Sequence, residues 1–228
     1  DEEARIHYVI TKGGLAPNVV PEEAEVYYYV RHPNVEGVQE LFNRVVKTAE
    51  GAARGTETEM DFEVMHGNYP LMPNKTLSIV IDEELHQLGG ISYNDEENKF
   101  AREIYQTLLN PDRSIGDQEN IQPLELSQTK GSTDVGDVSW KVPTSGVRIA
   151  TWVPGTSSHS WQAVAAGGTT IGTKGSTLAA KVLANSALRF YQDPKLIEAA
   201  WEEHKINVGD HQYEALLGDR KPPLDYRK

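Results

Sequence analysis

The chain has 228 residues, with 34 acidic against 22 basic side chains, a formal net charge of −12 and 38% hydrophobic residues, enough for a core. So acidic a chain repels a phosphate backbone or an anionic membrane at long range, which argues against nucleic-acid and membrane partners. The absence of cysteine rules out disulfides and thiolate metal ligands and suits a reducing cytoplasm, the expected location; no apolar run approaches the roughly 20 residues of a membrane span.

The sequence opens on Asp1, Glu2 and Glu3, with neither an initiator Met nor a signal-like apolar segment, and is therefore expected to be a portion of a longer product. Residues 5–12 and 22–31 are rich in β-branched and aromatic side chains and predict two strands around a loop containing Gly13, Gly14, Pro17, Asn18 and Pro21. From Asn34 the period becomes helical. Val35, Val38, Leu41, Phe42, Val45, Val46 and Ala49 share one face, Asn34 is the expected N-cap, and Gly51 and Gly55 mark the end. A third strand is expected at 59–65, where Met60, Phe62 and Val64 alternate with acidic residues. The order β-β-α-β predicts a small antiparallel sheet covered on one side by a helix.

Residues 66–74 hold Gly67, Pro70 and Pro73 and mark a domain boundary. Beyond it the patterns predict helices at 75–89 and 95–109, a polar loop at 110–123 and a tight turn entering a short helix at 131–140. A strand at 146–153, a Gly/Ser/Thr-rich loop at 154–173, helices at 174–191 and 194–204 and a polar tail from 209 complete the chain.

Candidate chemistry is scattered. His7 and Asn18 can hydrogen-bond a developing oxyanion, and Arg31 can hold a carboxylate through two parallel bonds. His159, in a polar loop after the expected strand, can ligate a metal through one ring nitrogen. Asp134 and Asp137 share a face if their segment is helical, and capping by Ser132 or Asp134 is the structural alternative. Each also has an ordinary explanation: a strand histidine, a turn asparagine, a strand-end arginine and a locally bonded loop histidine. No His-x-Asp or His-x-His pair occurs, so spacing alone assembles no complete metal site. The pairs Glu22-Glu23, Glu83-Glu84, Glu96-Glu97 and Glu202-Glu203 read as solvated charge, and residues 167–172 lack the Lys-Ser/Thr ending of a phosphate loop.

Three segments, 5–31 with Gly13-Gly14 and Asn18-Val19-Val20-Pro21, 131–140, and 154–172, together resemble the C-terminal half of the aminoacylase/carboxypeptidase-type metal-dependent amidohydrolases. Within that family the similarity is greatest to the group acting on p-aminobenzoyl-glutamate. The resemblance implies a fold of class α/β with an α+β lid. Residues 1–68 would be the second part of a sheet-plus-helix lid and dimerisation domain, and 72–228 the C-terminal part of a two-metal exopeptidase-like catalytic domain. It implies that His7 reaches into the partner subunit's active site to stabilise the oxyanion, that Asn18 lies near the same oxygen, and that Arg31 holds the substrate carboxylate. His159 would be one metal ligand, and Asp134 a neighbour of the site.

Two divalent ions, zinc or manganese, a homodimer formed through the lid, and a small anionic amide substrate are implied with them. The remaining ligands and the general base would lie in the missing N-terminal half, so the chain alone is expected to be inactive. Alternatives are a dipeptidase of β-alanyl type and a non-catalytic dimerisation or regulatory subunit.

Overall fold

The computed structural model describes residues 2–126, 131–218, 220–222 and 224. In chain order the elements are β1 (Arg5–Lys12), β2 (Glu25–Arg31), α1 (Val35–Thr56), α2 (Lys75–Leu88), α3 (Asp95–Tyr105), α4 (Val135–Ser139), α5 (Trp161–Gly167), α6 (Thr170–Gln192) and α7 (Pro194–Val208), with one 3₁₀ turn at Asp117–Glu119. Among the described residues this is an α+β fold with one two-stranded antiparallel sheet. No helix among them is long and apolar enough to cross a membrane. Two units emerge. One is built from the described residues of Asp1–Met72, Gln128–Lys141 and Gln212–Lys228, the other from those of Pro73–Ser127 and Val142–His211.

In the first unit β1 and β2 run antiparallel, with Arg5 opposite Arg31, His7 opposite Tyr29 and Lys12 opposite Glu25. The register slips between Ile10 and Lys12, where the strands enter the loop. Helix α1 starts as expected: the Asn34 side chain accepts from the Gly37 N–H at 2.8 Å, satisfying one of the first-turn donors. The helix packs beside β2.

The strand expected at 59–65 is absent. Alternating side chains make a strand only where a neighbour supplies the ladder of hydrogen bonds. Here Phe62 instead sets its ring edge-on to Phe42 of α1, at 5.7 Å between centroids.

The second unit is helical. Its core gathers Ile91, Tyr93, Ala101, Ile104, Val153, Ala166 and Ile171. The segment 146–153 is also not a strand, yet Val153 is buried in this core. Helix α6 begins at Thr170, four residues before the expected start, because the Thr169 hydroxyl caps it by accepting from Ile171 N–H. Gly175 lets α6 lie against the preceding segment: a Cβ there would come within 2.4 Å of the Ala150 carbonyl oxygen. Helix α5 lies inside the stretch expected as loop and is capped by Ser160, whose Oγ accepts from Ala163 N–H at 3.2 Å.

The entry to α2 is tightly built. Asn74 is 2% exposed; its Oδ1 accepts from Leu77 N–H at 3.0 Å and its Nδ2 donates to the Ala200 carbonyl at 2.9 Å. Glu203 of α7 also accepts from the Thr76 N–H at 2.8 Å and the Thr76 hydroxyl at 2.7 Å, an anion on a helix N-terminus. Burial pushes the Glu203 carboxyl upward, but the Thr76 and Lys75 bonds outweigh it and hold its pKa below the ordinary value.

Candidate functional site

Directly opposed residues of an antiparallel pair share a face, so His7 and Tyr29, and Arg5 and Arg31, stand on the same side of the hairpin. Tyr27 joins them, its ring edge-on to Tyr29 at 5.3 Å. The Arg31 guanidinium lies over the Tyr29 ring, 5.4 Å from the centroid, which fixes the charge by cation–π attraction. This face therefore brings an imidazole and a guanidinium together on a tyrosine-rich surface.

Asn18 is exposed in the loop between the strands. That loop begins beyond Lys12, five residues and about 17 Å along β1 from His7, at the end of the hairpin away from Arg31.

The 131–140 segment divides its side chains sharply. Asp137 is tied down: Oδ2 accepts from the Tyr69 N–H at 3.2 Å and Oδ1 from the Tyr213 hydroxyl at 2.9 Å. Ser139 is fully buried and its Oγ accepts from Met72 N–H at 2.9 Å, while Trp140 donates its indole N–H to the Pro70 carbonyl at 2.9 Å. The rings of Trp140 and Tyr213 both pack on Tyr69, at 5.3 and 4.8 Å. Gly136 closes the contact, since a Cβ would meet the Tyr69 carbonyl oxygen at 1.9 Å.

Burial first, then the Asp137 carboxylate, pushes the Tyr213 phenol above its ordinary pKa and keeps it a donor. Asp134 lies at the N-cap of α4 but makes no capping bond, and it is exposed with Val135 and Val138. The two aspartates therefore have separate tasks: Asp137 anchors the turn, and Asp134 is presented outward. Sequence patterning singles out neither Tyr69 nor Tyr213. The available signal is Asp137 and Trp140 inside one short motif, but their partners lie far along the chain.

In the second unit His159 is exposed and has φ 59°, a left-handed conformation that costs a residue with a Cβ on the order of 1 kcal/mol. It follows the turn at Gly155 and directly precedes Ser160, the cap of α5. A groove elsewhere in this unit is lined by Asp82, Glu83, Glu84, His86, Gln87 and Arg189, and it includes none of the candidate residues. Arg189 bonds Glu83 at 2.6 Å there, which accounts for the charge as an ion pair.

Among the described residues no three His, Asp or Glu side chains come together as a metal site. One imidazole falls short of the three protein ligands that a catalytic metal takes, so these residues do not by themselves fit the two-ion site that the resemblance implies.

No family model matches the chain. It is 36% identical to a subunit of the p-aminobenzoyl-glutamate hydrolase of Escherichia coli (strain K12), over 97% of this chain and 52% of that protein. The chain is a relative of this hydrolase. It is also 29% and 27% identical to the Xaa-Arg dipeptidases of Mus musculus and Homo sapiens, over 91% and 92% of its length and 42% of theirs. It thus spans about half the length, or less, of the relatives it matches. The two names these three relatives carry denote hydrolysis of an amide bond, and the bacterial one is named as a subunit. The resemblance drawn from the three segments of the sequence therefore extends over nearly the whole chain.

Proposed function

We propose that this chain is a portion of a metal-dependent amidohydrolase that cleaves p-aminobenzoyl-glutamate or a similar N-acyl amino acid. The observation that carries the reading is the 36% identity over 97% of the chain to the bacterial hydrolase. In it, residues 1–68 form the second part of a lid that makes a homodimer, and 72–228 the C-terminal part of the catalytic domain. Both functions require the missing half of the protein.

The chemistry assigned to this chain is binding and charge stabilisation. The His7 imidazole donates a hydrogen bond to the oxyanion that develops on the scissile carbonyl of the partner's site. The family resemblance assigns Asn18 to the same oxygen, an assignment the hairpin does not support, because the loop that carries Asn18 begins about 17 Å along β1 from His7. Arg31, held over Tyr29 on the same hairpin face as His7, takes the substrate carboxylate in two parallel bonds. A carboxylate and a scissile amide in one small substrate suit two such groups on one face. His159 contributes one ligand to a zinc or manganese site completed by residues outside this chain; its exposure and strained backbone are the support, since such strain clusters at functional sites. The family resemblance, and not a contact in the structure, assigns Asp134 a place beside the site; the residue is exposed at the start of α4. A cytoplasmic location and a role in breakdown of folate-derived amides belong to the same reading.

A dipeptidase reading is favoured by the mammalian relatives, which are named Xaa-Arg dipeptidases; Xaa-Arg and β-alanyl dipeptides are the substrates to compare. A substrate panel separates the two. The complete protein is expected to prefer p-aminobenzoyl-glutamate, and the isolated chain to hydrolyse neither. Preference for dipeptides favours the second reading, and turnover by the isolated chain overturns the assignment. A complete complex that binds no divalent metal identifies a non-catalytic subunit.

A further inference from the structure

The hairpin has two faces of different chemistry, and the proposed function uses one of them. Arg5, His7 and Arg31 stand on that face, with Val9, Tyr27 and Tyr29 among them. On the other, Ile6 opposes Val30, Tyr8 opposes Tyr28 and Ile10 opposes Val26, so every paired side chain there is aliphatic or aromatic. The Tyr8 and Tyr28 rings lie 5.9 Å apart across it. No charge interrupts these three pairs, in a chain of which 25% is charged.

This second face is open. Ile6, Tyr8 and Ile10 are 47%, 67% and 60% exposed, and Val26 and Tyr28 are exposed beside them. Helix α1 does not close it: in β1, β2 and α1 together a single residue, Val35, is buried. The apolar stripe of α1, with Val38, Leu41, Phe42, Val45 and Val46, is only half-buried. Ordering one residue's backbone costs about 1–2 kcal/mol, and apolar burial is the main term that offsets it. A hairpin and a helix that bury one side chain between them do not offset that cost alone. Antiparallel sheets commonly pack one face and wet the other, and here the apolar face is the one left without a cover.

Length selects the occupant. The chain spans 52% and 42% of the relatives it matches, which carry about as much chain again outside the match. A second copy fits less well. The proposed dimer turns the His7 face toward the partner subunit, and the opposite face then points away from it.

We propose that Ile6, Tyr8, Ile10, Val26 and Tyr28 form a docking surface for the half of the protein missing from this chain, which covers them with an uncharged apolar surface. From Ile6 to Ile10 the face runs about 14 Å, a length matched by roughly nine residues of an amphipathic helix. Docking there leaves His7, Tyr29 and Arg31 free of the cover on the other side, so one contact both stabilises the hairpin and presents its site. The inference rests on reading the chain as part of a longer hydrolase.

The test is thiol alkylation of cysteine variants, since the chain has no cysteine of its own. Ile10→Cys probes the apolar face, and Val9→Cys, its neighbour at 52% exposure, probes the other. Each is alkylated with iodoacetamide in the isolated chain and in the complete protein, and the labelled peptide is followed by mass spectrometry. Ile10→Cys is expected to react at least about tenfold more slowly in the complete protein than in the isolated chain, with Val9→Cys slowed less than about threefold. Val26→Cys, directly across from Ile10, replaces Ile10→Cys if that variant fails to fold. Equal rates for Ile10→Cys in the two proteins, or equal protection of both cysteines, overturns the proposal. Protection that grows with the concentration of the isolated chain assigns the face to a second copy and overturns it too. The readout needs no turnover: a complete protein that hydrolyses neither substrate yet protects Ile10→Cys defeats the hydrolase reading and leaves the docking surface standing.

Discussion

The hairpin unit and the helical unit use similar side chains to opposite effect. In the helical unit Ile171, Val182 and Ala166 are wholly buried, and helix entries are locked by side chains such as Asn74 and Glu97. In the hairpin, Ile6, Tyr8, Val9, Ile10, Tyr28 and Tyr29 all remain exposed. A two-stranded hairpin that buries neither face contributes little stability of its own. Of the five candidate residues, His7, Asn18 and Arg31 lie on this exposed element, Asp134 on an outward-facing turn and His159 in an exposed one. The contrast separates residues retained for packing from residues displayed for contact.

The contrast breaks most readily at the core. Ile171→Ala is expected to cost about 2–5 kcal/mol in urea unfolding, whereas Ile10→Ala in the hairpin costs under about 1 kcal/mol. Equal costs at the two positions would erase the distinction. Next in size is Asn74→Ala, which removes a cap and leaves buried partners unbonded, for an expected loss of about 2–3 kcal/mol in the same measurement. Tyr213→Phe removes one bond to Asp137 and is expected to cost about 1 kcal/mol, read most directly as faster amide hydrogen exchange in 135–141 with the helical unit unchanged.

The smallest effect is electrostatic. Burial lowers the His204 pKa, so the unfolded chain takes up a proton there before the folded one does. Stability is therefore level above the ordinary histidine range and falls as pH drops below about 6.5, and His204→Leu flattens that part of the profile. Glu97 and Glu203, whose pKa values are lowered, act in a separate window. Their contribution is complete above the ordinary carboxylate range near 4.5 and is lost as pH falls through their folded values.

Local signals were legible in the sequence and shared ones were not. Asn34 and the period after it give α1 within a residue at its start, and the helix expected from 194 begins there as α7, where the structure shows Asp193 as its cap, because caps and apolar stripes act inside one turn. The strands expected at 59–65 and 146–153 failed for one reason: alternation marks a face, and only a neighbouring strand makes the ladder. Helix α5 was hidden by the Gly- and Ser-rich sequence around it, although Ser160 is an ordinary cap. In the candidate site, His7 and Arg31 could be named from residue type, but their shared face follows from the register, which places Tyr29 between their roles. The Asp137–Tyr213 bond joins residues 76 positions apart and leaves no local trace.

The central claim is that the imidazole displayed on the hairpin serves a site built around His159 of the other protomer. Mixing complete His7→Ala and His159→Ala proteins, each nearly inactive, tests it directly through hydrolysis of p-aminobenzoyl-glutamate. If the two histidines act across a two-fold dimer, statistical mixing restores one working site in half of the dimers, about a quarter of the parent activity. Mixtures no more active than their components, after subunit exchange is verified, would contradict the account.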